Sequence, residues 1–128
     1  EPDSWPLQQG WVAGCDACQE VCPFNGAKRL AVADEVLAES QAWMDLSLRD
    51  AILLTDDEFV ELFRGSALRR GGCKAIRLGA ITAAGNLGRL DCEDALRQCR
   101  LVSDTDIIQR AEWALKRIRN MDRSPRQR

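Results

Sequence analysis

No stretch of this sequence is long and apolar enough to suggest a membrane span or the hydrophobic part of a signal peptide, so no membrane partner is expected and the cytoplasm is the expected setting. No segment alternates apolar and polar residues at the period of a half-buried strand, which leaves helices as the regular structure. Cysteine is too sparse for a secreted disulfide scaffold, at 6 in 128 residues. With half of those thiols crowded into one short run, a reducing compartment and metal ligation account for them better. Charge of neither sign prevails, since 18 Lys and Arg stand against 20 Asp and Glu, and the overall balance points to no partner. Initiator Met is also absent. The opening Glu1-Pro2-Asp3-Ser4-Trp5-Pro6 therefore reads as a linker within a longer polypeptide. The length suits one domain with a single core.

What the sequence does hold is Gly14-Cys15-Asp16-Ala17-Cys18-Gln19-Glu20-Val21-Cys22-Pro23-Phe24-Asn25. Cysteines so spaced and closed by a proline make a ligand pattern rather than a packing pattern. In the bacterial ferredoxin run C-x2-C-x2-C-x3-C-P, the first three sulfurs grip one 4Fe-4S cube and the Cys before Pro reaches another. The last three cysteines of that run are present, and the first would fall at Val12. A C-x2-C turn aims two sulfurs at neighbouring irons, and Pro23 stops the turn from continuing as helix. Cys15 and Cys18 are expected on one cluster and Cys22 on a second, neither complete from this stretch. A zinc knuckle or a disulfide pair is the alternative. The appended C-x3-C-P favours iron and sulfur, because zinc sites usually pair two Cys or Cys/His hooks. Cys73, Cys92 and Cys99 fall in helical patterns and read as small buried hydrophobes.

Beyond the motif the chain reads as all-α. Residues 30–41 lack a clean period, with a short helix expected around Asp34 to Glu39. Ser47 can cap a helix over Leu48–Leu54. Thr55 and Glu58 then form a capping box ahead of Phe59, Leu62 and Phe63, and Gly65 is placed to end that helix in a left-handed turn. Ser66 can cap Ala67–Arg70, with a break at Gly71-Gly72. The Ala-rich run Cys73–Asn86 is expected at the centre of the bundle, despite the cost of Gly79 at about 1 kcal/mol relative to Ala, and to end at Gly85-Asn86-Leu87-Gly88. Asp91 is expected to cap Cys92–Leu101, with Ala95, Leu96 and Cys99 on its apolar face. Ser103 or Asp104 caps a last amphipathic helix carrying Ile107, Ile108, Ala111, Trp113, Ala114, Leu115 and Ile118, which Ser124-Pro125 stops. Short helices with turns of a few residues suggest one or two HEAT-like hairpins.

Charge is unevenly placed. Thr55 to Glu61 is acidic, Arg64, Arg69, Arg70, Lys74 and Arg77 follow, and Arg117, Arg119, Arg123, Arg126 and Arg128 make a basic tail. Such runs commonly form a solvated helix face; they also suit a phosphate backbone.

Two blocks together resemble the epoxyqueuosine reductase family: the cysteine run Gly14–Asn25, and Phe59-Val60-Glu61-Leu62-Phe63-Arg64-Gly65-Ser66-Ala67-Leu68-Arg69-Arg70. The helix ending Ala84-Gly85-Asn86 is similar to one in that family. The resemblance covers most of the chain up to about Gly88 and is specific through the pairing of the blocks. It implies the C-terminal part of a cobalamin-dependent, iron-sulfur enzyme that removes the epoxide oxygen of epoxyqueuosine in tRNA. It also implies a ferredoxin-like region with two 4Fe-4S clusters, of which Cys15 and Cys18 would ligate one and Cys22 the other. The cobalamin pocket and the catalytic acid would lie upstream, so no catalytic residue is expected in this segment, which alone would be inactive. The sequence departs from the family at Arg77-Leu78, where Arg-Asn is usual, and at Phe24, where Trp is common.

The expected organisation is therefore residues 1–30 as the end of a ferredoxin-like 4Fe-4S region, loose without its upstream ligands, 31–122 as a HEAT-like helical domain, and 123–128 as a basic disordered tail. A monomer is expected, with tRNA and an external electron donor as partners. Arg69, Arg70, Lys74 and Arg77 are the candidate RNA contacts. An iron-sulfur electron-transfer protein with a helical protein-binding adaptor is the alternative reading, and a zinc-stapled helical module a third.

Overall fold

The computed structural model describes residues 2–14, 17–25 and 45–123. The short helix expected around Asp34 to Glu39, the tail 124–128 and Cys15 lie outside the described residues. Six α-helices are described: α1 (Ala17–Glu20), α2 (Leu48–Leu53), α3 (Asp56–Leu62), α4 (Gly72–Leu87), α5 (Glu93–Gln98) and α6 (Thr105–Arg123). Tight 3-10 turns cover Pro2–Gln8, Pro23–Asn25, Ala67–Gly71, Leu90–Cys92 and Cys99–Leu101. No strand occurs among the described residues, and the all-α expectation holds for them.

The local signals behave as their chemistry requires. Ser47 accepts from the Asp50 amide and starts α2. Thr55 and Glu58 form the reciprocal capping box of α3, with the Thr55 amide donating to Glu58 at 2.9 Å, so two otherwise orphaned amides are satisfied. Gly65 adopts φ +77° after Phe63, a conformation that Gly reaches without a Cβ penalty. The Asp104 carboxylate accepts from the Asp106 and Ile107 amides and caps α6.

Helix α4 is the axis of the molecule, packed against α2 on one side, α6 on another and residues 2–8 on a third. A helix surrounded in this way must be apolar and small on most faces. Ala80, Ala83 and Ala84 are fully buried, and so is Thr82, whose hydroxyl donates back to the Leu78 carbonyl at 2.8 Å. The larger core cluster joins Ile52, Ile81, Leu96, Ile107, Ala111 and Ile118 between α2, α4, α5 and α6. A smaller one places Leu54, Phe59, Phe63, Cys73 and Ile76 beneath α3. Cys73, Cys92 and Cys99 are all buried, as their helical setting implied.

Helix α4 ends within Gly85-Asn86-Leu87-Gly88 as expected: it runs to Leu87, and Gly88 turns left-handed at φ +64° with its amide bonded to the Ala84 carbonyl. Two local expectations are corrected. Asp91 is not a cap. It pairs with Arg89 at 2.7 Å instead from within the 3-10 turn Leu90–Cys92, and α5 and a second 3-10 turn follow, with no side-chain cap at Cys92. Residues 2–8 are not a linker, because Trp5 is buried against the helical body, 7 % exposed.

Candidate functional site

Residues 2–14 form a strap laid along α4. Two prolines and a short run suit a 3-10 turn, in which Trp5 points inward while Leu7 faces outward. Its ring meets Trp113 of α6 edge-on, with centroids 5.5 Å apart, the arrangement that aromatic quadrupoles favour. The Arg110 guanidinium lies 4.6 Å from the Trp5 centroid and Arg117 lies 5.6 Å from that of Trp113, so each ring carries a cation on its face. Burial lowers the Arg110 pKa from its ordinary value, with Asp106 acting in the opposite direction. Arg110 is also held by its Nη1–H to the Thr82 hydroxyl at 3.2 Å.

The strap's main chain is tied down as well. Asn86 donates both amide hydrogens, to the Trp5 carbonyl at 2.9 Å and the Gln9 carbonyl at 2.8 Å. At Gly79 the chain passes so close that a Cβ there would overlap the Val12 carbonyl. Glycine is therefore required by backbone approach, which the composition of α4 did not reveal.

The cysteine loop follows directly. Cys18 is exposed within α1 and Cys22 is half-buried just after it, both as free thiols. A cleft of about 860 Å³ lies between strap and loop, lined by Leu7, Trp11, Val12, Ala17 and Glu20 among others. Leu7, Val21 and Phe24 are strongly exposed. Among the described residues no group of three or more His, Cys, Asp or Glu is gathered to hold a metal ion. The accessible thiols Cys18 and Cys22 fit a thiophilic centre in donor chemistry, while a cube needs four sulfurs.

The three remaining cysteines belong to packing. Cys73 donates to the Leu54 carbonyl at 3.4 Å, and burial pushes its thiol up to about 11. Burial also raises Cys92 and Cys99. A neutral, enclosed thiol is a poor metal ligand.

The four basic candidates separate into two pairs. Arg69 and Arg70 are exposed in the turn before α4 and carry no ion pair among the described residues. Lys74 pairs with Asp106 at 2.6 Å and Asp104 at 2.8 Å, tying α4 to the start of α6. Arg77 is half-buried and donates to the Ile52 carbonyl at 3.0 Å, closing the end of α2.

The residues missed from sequence are Trp5, Asn86, Gly79 and Arg110. A Gly within an Ala-rich helix, followed seven residues later by Asn, was the one available signal.

An all-α domain with a thiol-bearing loop strapped to its central helix defines the class. No family model matches the chain, and no solved structure matches it. Among curated proteins it is similar to the epoxyqueuosine reductase of Gloeobacter violaceus, 40% identical over 84 residues, covering 63% of this chain and 26% of that protein. That of Shewanella oneidensis is 33% identical over 125 residues, covering 91% of this chain and 30% of that protein. That of Pseudomonas aeruginosa is 29% identical over 113 residues, covering 88% and 31%. These matches place the chain among the epoxyqueuosine reductases, as a stretch spanning less than a third of the length of these three relatives.

Proposed function

We propose that this chain is the part of an epoxyqueuosine reductase that supplies thiolate ligands to 4Fe-4S clusters and a helical surface for tRNA. In the full reaction two electrons and two protons remove the epoxide oxygen as water, leaving queuosine, with the electrons drawn from an external donor. The clusters would supply single-electron relay toward cobalamin, which the resemblance assigns to a part of the relatives outside this stretch. Cys15 and Cys18 would hold one cluster and Cys22 the other. Leu7, Trp11 and Val12, the apolar part of the mixed cleft beside the loop, would limit water near the sulfurs, and exclusion of water is one of the ways a protein sets cluster potential. The helical body reads as a HEAT-like support, with Arg69 and Arg70 as its phosphate-facing cations.

The observation that carries this reading is the C-x2-C-x3-C-P run followed by the Phe59–Arg70 block, in a chain matched over 91% of its length by such a reductase. Made anaerobically, the protein carrying this chain is expected to contain iron and acid-labile sulfide. Zinc, or no metal, at those thiols overturns the reading.

The internal engagement of Lys74 and Arg77 favours, as a second reading, an electron-transfer protein whose helices bind protein rather than RNA. Charge reversal at Arg69 and Arg70 separates the two. Loss of tRNA affinity with a salt slope shallower by about 0.9 per phosphate contact supports the RNA role, and unchanged affinity supports the adaptor.

A further inference from the structure

The strap touches α4 at two heights on one side of the helix. Asn86 grips the carbonyls of Trp5 and Gln9, and seven residues earlier Gly79 admits the Val12 main chain. Residues seven apart in a helix share a face, so the strap runs antiparallel to α4, with Trp5 at Asn86 and Val12 at Gly79. One residue beyond Asn86, Leu87 lies beside Gly10, where a Cβ would come within 3.2 Å of its side chain. One contact sets where the strap begins along the helix and the other sets how closely it lies. Cys15 comes three residues after Val12, and three residues of fully extended chain span no more than about 11 Å. The thiol loop is therefore leashed to the point where Val12 crosses Gly79.

We propose that Asn86, with Gly79, is a positioning residue for the cysteine loop: it fixes where the metal-ligating thiols stand relative to the helical domain. The proposal rests on the reading of Cys15, Cys18 and Cys22 as ligands. The chemistry of the side chain is specific. A primary amide offers two donors, one for each strap carbonyl, whereas an isosteric carboxylate would present acceptors to acceptors.

The position of the loop is measurable without metal. Cys15→Ser and Cys22→Ser leave Cys18 as the exposed thiol, the three helical cysteines being buried. Spin labels at Cys18 and at Lys116→Cys, exposed on α6, then report the distance from loop to domain by pulsed electron resonance. The parent form is expected to give one narrow distribution. Asn86→Asp is expected to broaden it at least twofold. Gly79→Ala keeps the Asn86 donors and displaces Val12, so it is expected to shift the mean instead. Circular dichroism verifies the helices of each variant, and should Asn86→Asp unfold them, Gly79→Ala decides. An unchanged distribution in the folded variants overturns the proposal.

Iron content gives the second arm. In anaerobically made protein with all its cysteines, Asn86→Asp is expected to hold less than half the iron and sulfide of wild type, with an altered electron resonance signature after reduction. Wild type without iron defeats the ligand reading, and the proposal with it, even where the distances respond. Equal loading and identical spectra in the two proteins defeat the positioning role alone.

Discussion

Gly85→Ala tests the packing of α4 on α6 most directly. A methyl group at this buried position would stand 2.7 Å from Trp113 Cζ3, 2.9 Å from Ala114 Cα and 3.0 Å from Ala114 Cβ. Trp113 can yield only by leaving its edge contact with Trp5, and the Ala114 atoms belong to or adjoin the main chain, so the two helices must separate. Two effects oppose each other. Ala in a helix is favoured over Gly by about 1 kcal/mol, while overpacking a tight core contact costs about 1–3 kcal/mol. Loss of an aromatic edge contact adds about 0.5–1.5 kcal/mol. Together these give a destabilisation of about 0.5–3.5 kcal/mol, and for a domain of this size a midpoint lower by about 2–13 °C. Thermal and urea melts followed by far-ultraviolet circular dichroism measure it. Gly71→Ala is the control: φ is −75° and the nearest contact of a new methyl, Ala75 Cβ at 3.5 Å, is ordinary, so stabilisation by about 0.4–1 kcal/mol is expected. A Gly85→Ala protein as stable as wild type refutes the account of this interface.

Two further outcomes follow from the caps and the ion cluster. Thr55→Ala removes the reciprocal cap of α3 and is expected to cost about 1 kcal/mol in a urea melt; no measurable cost would mean that the Phe59 and Phe63 packing alone holds the helix. Hydrogen bonding from Lys74 holds the Asp104 carboxyl below its ordinary value of 3.8. A lowered acid contributes stability above its unfolded pKa and loses it as pH falls through the folded one. Lys74, raised above its ordinary 10.5 chiefly by Asp104, contributes below its unfolded pKa and loses that contribution as pH rises beyond the folded one. Lys74→Met is therefore expected to flatten both limbs of the urea midpoint against pH, and an acid limb unchanged from wild type contradicts the pairing.

The helices were legible wherever a local signal decides them. The Thr55 box, the Ser47 and Asp104 caps and the apolar stripe of α6 each rest on residues close together in sequence, so propensity and pattern suffice. What failed depended on distant partners. Asp91 looked like a cap until Arg89 competed for its carboxylate, and Gly79 looked like a defect because the Val12 carbonyl that needs the space is far away in the chain. Trp5 was hidden in the same way: Pro2 and Pro6 signal an irregular segment, and nothing nearby shows that Asn86 and Trp113 wait to receive it. At the site, spacing alone singled out Cys15, Cys18 and Cys22. Sorting Arg69 and Arg70 from Lys74 and Arg77 required knowing where Asp104, Asp106 and the Ile52 carbonyl lie.

The strap also imposes an order on biosynthesis. Trp5 leaves the ribosome 81 residues ahead of the Asn86 amide that receives its carbonyl, a delay of roughly 4–16 s at ordinary rates of translation. During that interval the indole has no groove to enter. Its neighbours Pro2, Asp3 and Pro6 cannot easily join a growing cross-β stack, so the nascent chain carries its own protection against aggregation until the receiving helices emerge.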